Sequence, residues 1–448
     1  MSLFKNEFNM KKIIILLSVF AASFVAVSCD SYLDIEPEGK IIPKTVDDYR
    51  KVLTTAYSIY PQHKSLTSLR TDEVFLDEES VDFASYREVA MWKDTNLDQS
   101  TTPFQWQAFY EVIFYTNQII NEGQGTMETS SDKNQLLAEA YALRAYAYFD
   151  LINLYGKPYN VSTADSDKGV PLNLSLDLEK TLTPSTVGEI YSQIHKDLDA
   201  SASLMVLDQQ ALGINYRFSK IALASFNAKV DLYQQNWDSA LNNANLALSI
   251  NSNLIDLNSN KVLPNRYDST ESIMALDYNF TSALQSSTFA SDELINSYDQ
   301  ENDLRFSVYF ESNDNKYKIL KGGSSDFKST FRTTELYFIK AEALLKLNRL
   351  DEAKSTLNSV LKNRYTTEGY NLITTAVSSM NTEQFMSFIL DERNREFALE
   401  GQRWFDLRRA NQKEIKHTLS GVEYILQKND VRYTIEIPTA AKLNNPNL

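Results

Sequence analysis

Two segments of this 448-residue chain, 224–248 and 337–361, repeat one pattern of small and large apolar residues. In each, small residues precede a short polar break, a large apolar residue follows it, and small residues then recur. Small residues at these positions let two helices approach closely, while the large residue fills the turn, as in tetratricopeptide helix pairs. Their offset of 113 residues exceeds the ~34-residue tetratricopeptide period, so other structure separates the pairs. The matched positions are Ala228 and Ala341, Trp237 and Leu350, Ala240 and Ala353, and Ala247 and Val360.

Further helices are predicted on both sides of these pairs. Residues 135–155 are apolar on more than one face, which indicates a buried helix that ends at Gly156. An amphipathic helix is predicted within 184–203 with Ser185 as its N-cap, and a continuous helix is predicted over 383–410. Helices are also predicted over 45–60 and 104–122.

Glycine and proline are scarce, with 12 and 10 residues respectively. Tight turns are therefore few, and a large all-β fold is disfavoured. Residues 61–103 and 251–331 are predicted to combine loops with short strands, one of them over 272–278. The predicted fold class is mainly α, with a loop-rich lobe and a few short strands.

Residues 1–28 are predicted to be a secretory signal peptide. The basic start at Met10 is followed by fifteen apolar or small residues, fewer than the ~20 that a spanning helix needs. Residues 1–9 would then precede the natural start. Cys29, the only cysteine, directly follows a small residue, Ser28, at the end of the apolar stretch, which resembles a bacterial lipobox whose cysteine is acylated. Residues 29–40 would form an acidic tether; the alternative is a buried free cysteine.

Charge and residue counts exclude several functions. A net charge of −15 repels nucleic-acid phosphate, so no nucleic-acid partner is expected. A single cysteine excludes a disulfide framework and a CxxC metal site. His63, His195 and His417 are far apart in sequence, which disfavours a zinc site, and each is interpreted as a surface residue. No cofactor is predicted; loop acids could hold a structural Ca²⁺, but no EF-hand spacing supports this.

Residues 389–409 form a dense charged motif, ILDERNREFALEGQRWFDLRR. It resembles the pattern ERRxELAxEGxRWFDLRR of the SusD/RagB family of nutrient-binding outer-membrane lipoproteins, from which Asn394 and Phe397 depart. Other islands of the family follow in order over nearly the whole mature chain, including 170–172 and 437–448. The motif residues singled out are Glu392, Arg393, Glu396, Glu400, Gly401, Arg403, Trp404, Asp406 and Arg408.

This resemblance implies both a fold and a role. It implies a single domain over 41–448, with a scaffold of four tetratricopeptide-like helix pairs and a ligand lobe. The protein would sit on the outer face of the outer membrane, anchored in lipid through acylated Cys29, as the lid of a SusC-like TonB-dependent transporter. It would deliver captured glycan, or in some relatives peptide, to the barrel. The helix pairs would lie near 135–200, 217–250, 332–364 and 383–412, and the lobe near 61–103 and 251–331.

The charged motif is interpreted as scaffold rather than as a catalytic site. On one continuous helix it would form three i,i+3 ion pairs. A glycosidase needs two carboxylates that flank a cleft, and nothing in the sequence singles out such a pair, so the protein is predicted not to be an enzyme. The three predicted pairs are Glu392–Arg395, Glu400–Arg403 and Asp406–Arg409.

Sugar binding uses exposed aromatic faces that stack on pyranose rings. Trp92 is the strongest candidate, because the other three tryptophans lie in predicted helices or at their turns. Tyr86, Tyr278, Tyr298 and Tyr309 complete the predicted set, and the alternative for each is a core residue. Peptide binding, hydrolysis of a surface polymer and a purely structural adaptor are the competing hypotheses.

Overall fold

Helices dominate the part of the chain that the structure, a computed structural model, describes: residues 43–177 and 181–448. The predicted signal peptide, Cys29 and the acidic tether lie outside these residues. The helices are α1 (Val46–Ser58), α2 (His63–Ser68), α3 (Phe83–Ala90), α4 (Trp106–Gln118, continued by a π-turn over Ile119–Gly123), α5 (Gln124–Thr126), α6 (Ser131–Tyr155), α7 (Val187–Leu204), α8 (Lys220–Gln234), α9 (Trp237–Ile250), α10 (Ser282–Ser287), α11 (Asp292–Asn296), α12 (Leu304–Tyr309), α13 (Thr333–Lys346), α14 (Leu350–Leu361), α15 (Thr367–Ser379), α16 (Thr382–Glu396), α17 (Arg403–Ala410) and α18 (Thr439–Asn444).

The strands of the described residues are short and pair only two at a time, all antiparallel. No sheet among them is wide enough to form a core, so the helices supply it. The pairs are β1 (Val74–Leu76) with β5 (Thr288–Ala290), β2 (Lys168–Pro171) with β3 (Pro184–Thr186), β4 (Ser272–Met274) with β8 (Phe331–Arg332), β6 (Phe310–Asn313) with β7 (Lys316–Ile319), and β9 (Ile415–Leu419) with β10 (Val422–Leu426).

The helices stack in consecutive pairs, so the mainly helical fold is confirmed. α6 packs on α7, α8 on α9 and α13 on α14, while α9 also contacts α13 and α13 contacts α16. The central helix α6 is buried around its circumference, as its sequence predicts. The small residues of the repeated pattern, among them Ala228, Ala240 and Ala341, have no exposed surface, which explains why the pattern requires them.

The helix predicted over 383–410 is wrong as a single element. It breaks between Glu396 and Arg403, where Leu399 has φ 63° and Gly401 has φ 68°. A Cβ on Gly401 would lie 2.4 Å from Cβ of Lys64 on α2. Only glycine therefore allows the chain to turn here while it passes against α2.

The predicted N-cap of α7 is one residue too early. Ser185 belongs to β3, and Thr186 is the cap: its hydroxyl accepts from the Glu189 amide at 3.1 Å. The Glu189 carboxylate in turn accepts from the Thr186 amide at 2.8 Å, which completes a capping box. The sequence carries this signal as Thr-Val-Gly-Glu.

Two separated stretches of sequence build the loop-rich lobe. β1 pairs with β5, with Val74 opposite Ala290, which joins 61–103 to 251–331. The strand predicted over 272–278 ends at Met274 and is followed only by an isolated bridge at Tyr278. None of the described helices is both long and apolar enough to cross a bilayer.

Candidate ligand-binding site

The indole of Trp92 lies in the core, so the prediction that it offers a stacking face is wrong. Only 2% of the residue is exposed. The imidazole of His417 stacks on the indole with ring centroids 4.4 Å apart. The indole Nε1 of Trp92 donates to the carbonyl of Arg70 at 3.0 Å. The protein therefore uses both the ring face and the N–H that a sugar would need. His417 is itself half-buried and bonded to two backbone carbonyls, unlike the predicted surface residue.

Tyr298 and Tyr309 are also core residues, and the prediction of ligand contacts is wrong for both. Tyr298 donates its hydroxyl to the carbonyl of Arg395 at 2.7 Å and is 5% exposed. Tyr309 has no exposed surface, and the Lys321 ammonium lies 4.0 Å from its ring centroid. Their aromatic character is used to pack the lobe on α16 rather than to face solvent.

The structure brings Tyr86 and Tyr278 to two adjoining cavities, which we call the tyrosine cleft. The smaller cavity measures about 220 Å³ and the larger about 490 Å³, within the range of ligand pockets when combined. The end of α1 and the segment before α2 separate them, because Ser58, Tyr60 and Gln62 line both. Half-buried Tyr278 lines the smaller cavity. Tyr86 lines the larger one but is only 7% exposed, so it is mainly a core residue.

Tyr216 is a cleft residue that sequence reasoning missed. It is half-buried in the smaller cavity and makes an edge contact with Tyr57 at 5.4 Å between centroids. The neighbouring Arg217 donates to its hydroxyl at 3.0 Å. On the other wall, the ammonium of Lys328 lies 4.2 Å from the ring centroid of half-buried Tyr278. Tyr216 stands in a loop whose sequence carries no helix or strand period, so no pattern marked it.

A buried charged cluster lies directly beneath the cleft. Asp277, which lines the smaller cavity, accepts from Lys64 Nζ at 3.0 Å and from the Tyr146 hydroxyl at 2.9 Å. Tyr60, which lines both cavities, donates to Asp150 at 2.7 Å. Buried hydrogen bonds between charged and polar groups hold their members in one geometry.

His63 belongs to the same cluster, and its interpretation as a surface residue is wrong. It is 2% exposed and lines the larger cavity. Its Nε2 lies 3.4 Å from a carboxylate oxygen of Asp150 but makes no hydrogen bond. Burial raises the pKa of Asp150, the main cause, and the nearby Asp277 carboxylate raises it further against the attraction of His63. Burial alone would also raise the pKa of Asp277, but Lys64 and His63 bring it below the usual value.

A second ionic cluster, which we call the junction network, joins the lobe to the helical scaffold. Glu396 is its centre: its carboxylate accepts from Arg332 at 2.8 Å, from Arg364 at 2.9 Å and from Arg305 at 3.2 Å. All these side chains are at most 1% exposed. The network consists of Glu271, Asp303, Arg305, Lys321 and Arg332 on the lobe side, and of Arg364, Glu392, Glu396 and Glu400 on the scaffold side.

The ion pairs of the structure correct one predicted pair of the charged motif and confirm two. Glu392–Arg395 and Asp406–Arg409 form at 2.6 and 2.9 Å. The predicted Glu400–Arg403 pair is wrong, because the turn at Gly401 separates these residues. Glu400 instead accepts from Lys321 at 2.6 Å and from Arg332 at 3.0 Å, while Arg403 donates to Asp72 at 2.6 Å.

The remaining motif residues contact backbone and core. The indole of Trp404 has no exposed surface and stacks on Tyr433 at 5.0 Å. Arg393 donates to Asp406 at 2.8 Å, and Arg408 donates to the carbonyl of Tyr433 at 2.6 Å. None of the nine motif residues is among those that line the tyrosine cleft, which agrees with their interpretation as scaffold.

Glu73 is a carboxyl beside the motif turn whose pKa is raised rather than lowered. Its carboxylate accepts from the Leu399 amide at 2.8 Å and lies 3.2 Å from the Thr71 hydroxyl. No cation is within ion-pair distance of it in the described residues, so burial raises its pKa to about 7. Within the described residues the Glu73 carboxyl thus contacts the turn through a hydrogen bond to the Leu399 amide rather than through an ion pair.

In residues 43–177 and 181–448, no three His, Cys, Asp or Glu side chains are grouped so as to hold a metal ion. The predicted Ca²⁺ alternative therefore gains no support from side chains of this part of the chain.

Comparison with known proteins relates the chain to one family over most of its length. A family model described as "Starch-binding associating with outer membrane" matches residues 31–232, and the model of the SusD family matches residues 270–447. A SusD-like protein of Formosa agariphila is 25% identical, with 90% of this chain and 92% of that protein covered. A SusD-like protein of Bacteroides ovatus is 28% identical over a shorter stretch, 33% of this chain and 28% of that protein.

Solved structures share the fold at lower identity. A SusD superfamily protein from Bacteroides thetaiotaomicron superposes with a TM-score of 0.75 at 20% identity, over 90% of this chain and 98% of the other. A structure described as a laminarin-binding SusD-like protein superposes with a TM-score of 0.62 at 18% identity, over 82% of this chain and 92% of the other. At these identities the likeness concerns the fold alone.

Proposed function

The chain belongs to the SusD/RagB family of outer-membrane-associated binding proteins, and we propose that it captures oligo- or polysaccharide at the cell surface in the tyrosine cleft. The observation that carries this proposal is the pair of half-buried rings, Tyr216 and Tyr278, on the smaller cavity. Aromatic rings at a cavity wall suit the apolar faces of pyranoses. Gln62, Ser58 and Thr54 stand around the same cavity. The hydroxyls of Ser58 and Thr54 donate to the carbonyls of Thr55 and Arg50, so they can bond a sugar hydroxyl only as acceptors.

The ionic clusters support this role by making the cleft rigid. Lys64 and Asp277 bond beneath its floor, and the junction network ties the lobe to the helices. Binding costs less conformational entropy when the receptor's side chains are already fixed. The cleft needs no acid–base pair for this task, and we propose a non-catalytic protein.

We further propose that acylated Cys29 anchors the protein in the outer membrane with the cleft facing outward. The captured glycan would pass to a SusC-like TonB-dependent transporter, for which this chain would be the lid. These steps rest on family membership and on the lipobox-like sequence around Cys29. Mutating Cys29 to alanine should release the protein from outer-membrane fractions, which quantitative blotting of the fractions would measure.

Calorimetric titration of the full chain tests binding against laminarin, starch, xylan and a tryptic peptide digest, with chromatography of the products. Saturable binding of a glycan without product is expected. Tyr216→Ala and Tyr278→Ala should each weaken it about three- to tenfold, the value of one aromatic contact. Tyr370→Ala is the matched control, because Tyr370 is equally half-buried but does not line the cleft. Binding of peptides alone would favour the peptide hypothesis, and released oligosaccharides would favour a hydrolase.

A further inference from the structure

A larger cavity, of about 790 Å³, lies between the start of α4 and the C-terminal helix α18. Trp106 and Tyr110 of α4 line one wall, and Ala441, Asn444 and Asn445 line the other. A neighbouring cavity of about 280 Å³ shares Phe104 and two prolines with it. We call the two cavities together the C-terminal groove.

An unsatisfied, buried hydroxyl lies at the wall of this groove. Tyr155, which lines the smaller of the two cavities, is 5% exposed, and its hydroxyl oxygen has no hydrogen-bond partner among the described residues. Buried polar groups in folded proteins are almost always paired, so an orphaned hydroxyl at a cavity wall is a marker for a missing ligand or water. Burial is the main cause that raises the pKa of Tyr155, so the hydroxyl is neutral and can both donate and accept.

The aromatic rings of the groove form a continuous wall. Trp106 lies edge-on to Tyr155, with ring centroids 4.7 Å apart, and is tilted against Tyr110 at 5.1 Å. The Tyr110 hydroxyl is fixed, because it donates to the carbonyl of Pro171 at 3.0 Å. The wall therefore runs from the larger cavity into the smaller one and ends at the unpaired Tyr155 hydroxyl.

The polar groups of the larger cavity are mostly neutral amides. Gln107 and Asn444 are exposed, and their side-chain amides make no hydrogen bond to another described residue. No lysine or arginine is among the residues that line this cavity, and Glu111 is its one charged side chain there. The smaller cavity is lined by Lys93, Asp94 and Glu436, which form ion pairs with Glu88, Arg70 and Lys442 respectively. Because these charges are already paired and no cation lines the larger cavity, the groove disfavours phosphate and suits a neutral polyol, which presents hydroxyls and apolar ring faces.

We propose that the C-terminal groove is a second carbohydrate site, which takes sugar rings of a neutral glycan against Trp106 and bonds one sugar hydroxyl to Tyr155. The inference rests on the proposed function. Pro103, Gln105 and Ala108 line both this groove and the larger cavity of the tyrosine cleft. One polysaccharide chain can therefore occupy both sites, and linked sites bind a polymer more tightly than either site binds a short fragment.

Fluorine NMR of the full chain labelled with fluorotryptophan tests the site, because the protein has only four tryptophans. The probes are laminaritriose, maltotriose, xylotriose and mannotriose, and Trp106→Phe assigns the resonance. A saturable shift is expected for Trp106, which is 9% exposed and lines the groove. Trp92 and Trp404, which line neither of its two cavities, should stay unchanged. Tyr155→Phe should lower the affinity for the trisaccharide that shifts the Trp106 resonance. The expected loss is about fivefold, as for one hydrogen bond. The thermal midpoint of this variant should not fall, since that hydroxyl bonds nothing in the described protein.

The outcomes separate this inference from the proposed function. Tyr216→Ala should weaken cleft binding about three- to tenfold and leave the Trp106 shift intact. If glycan binding depends on Tyr216 but the Trp106 resonance does not shift, the second site is overturned and the proposed function stands. No response to any glycan overturns both, and a Trp106 shift caused only by a peptide digest replaces a sugar site with a peptide site. Equal affinity for a trisaccharide and its long polymer would contradict occupation of both sites by one chain.

Discussion

The junction network buries its side chains almost completely, whereas the tyrosine cleft leaves its side chains partly exposed. In the network, Glu396 meets three arginines, and side chains are exposed by at most 3% wherever its members pair. In the cleft, Tyr216, Tyr278 and Lys328 are half-buried and border open space. A charge that is fully paired and buried joins two parts of a protein, whereas an aromatic ring that is half covered can still meet a ligand. The dense charged motif is therefore the joint, and the sparse tyrosines form the candidate site.

Removing the centre of the network should have the largest effect on stability. Glu396→Ala leaves three arginines without their shared carboxylate. We expect the free energy of unfolding to fall by about 3–5 kcal/mol, as for breaking other buried ion pairs. Urea unfolding followed by circular dichroism measures it. Glu352→Gln, which breaks the exposed Arg349–Glu352 pair, should leave stability unchanged; equal effects from both variants would contradict the distinction.

The two carboxylates Glu73 and Glu392 should respond to pH in opposite directions. Burial raises the pKa of Glu73 to about 7 from its usual 4.5, so its stabilising contribution is complete below 4.5 and is lost as pH rises through 7. Although burial opposes it, pairing with Arg395 and Arg305 lowers the pKa of Glu392 to about 2. Its contribution is present above 4.5 and is lost as pH falls towards 2.

Glu73→Gln should therefore be more stable than the native chain at pH 8, by at most about 3 kcal/mol for this pKa difference. The advantage should shrink towards pH 5, where native Glu73 is protonated in the folded state. Urea unfolding at both pH values measures it. An advantage that grows as pH falls would show that the Glu73 carboxyl is ionised in the folded protein.

Two glycine substitutions separate the cost of the close approach at Gly401 from the cost of its left-handed backbone conformation. Gly401 (φ 68°) and Gly421 (φ 74°) have similar left-handed conformations, but only Gly401 has neighbours, with Lys64 2.4 Å from an added Cβ. Gly421→Ala should cost about 1 kcal/mol for the conformation alone. Gly401→Ala should cost about 2–3 kcal/mol more, since backbone and α2 must shift. Thermal unfolding compares them, and equal losses would mean that α2 moves freely.

The smallest stability effect is expected in the cleft. Lys328→Ala removes the ammonium above Tyr278, an interaction worth about 0.5–1 kcal/mol at an exposed site. Thermal unfolding should register a change of that size at most, while glycan affinity, measured by titration, should change more than stability does. A stability loss as large as that of Glu396→Ala would make the cleft part of the structural core.

Local sequence patterns predicted the fold more completely than they predicted the binding site. Small residues at helical spacing predicted the pairs, because close packing leaves room for nothing larger. The same charge spacing wrongly joined Glu400 to Arg403, since i,i+3 holds only while the helix continues. The left-handed Gly401 that ends the helical run is visible in sequence only as a glycine, and the contact with Lys64 that requires it is not.

The sequence by itself determined the helical scaffold and the family, because both are carried by local patterns: residues at helical spacing, and short motifs that follow one another in order along the chain. Only the tertiary structure decided which aromatics face a ligand. Trp92 and Tyr309 became core, whereas Tyr216 reached the cleft, because burial depends on segments that meet from distant parts of the chain. Lys64 and Asp277 are an example, because they bond at 3.0 Å beneath the cleft although 213 positions of sequence separate them.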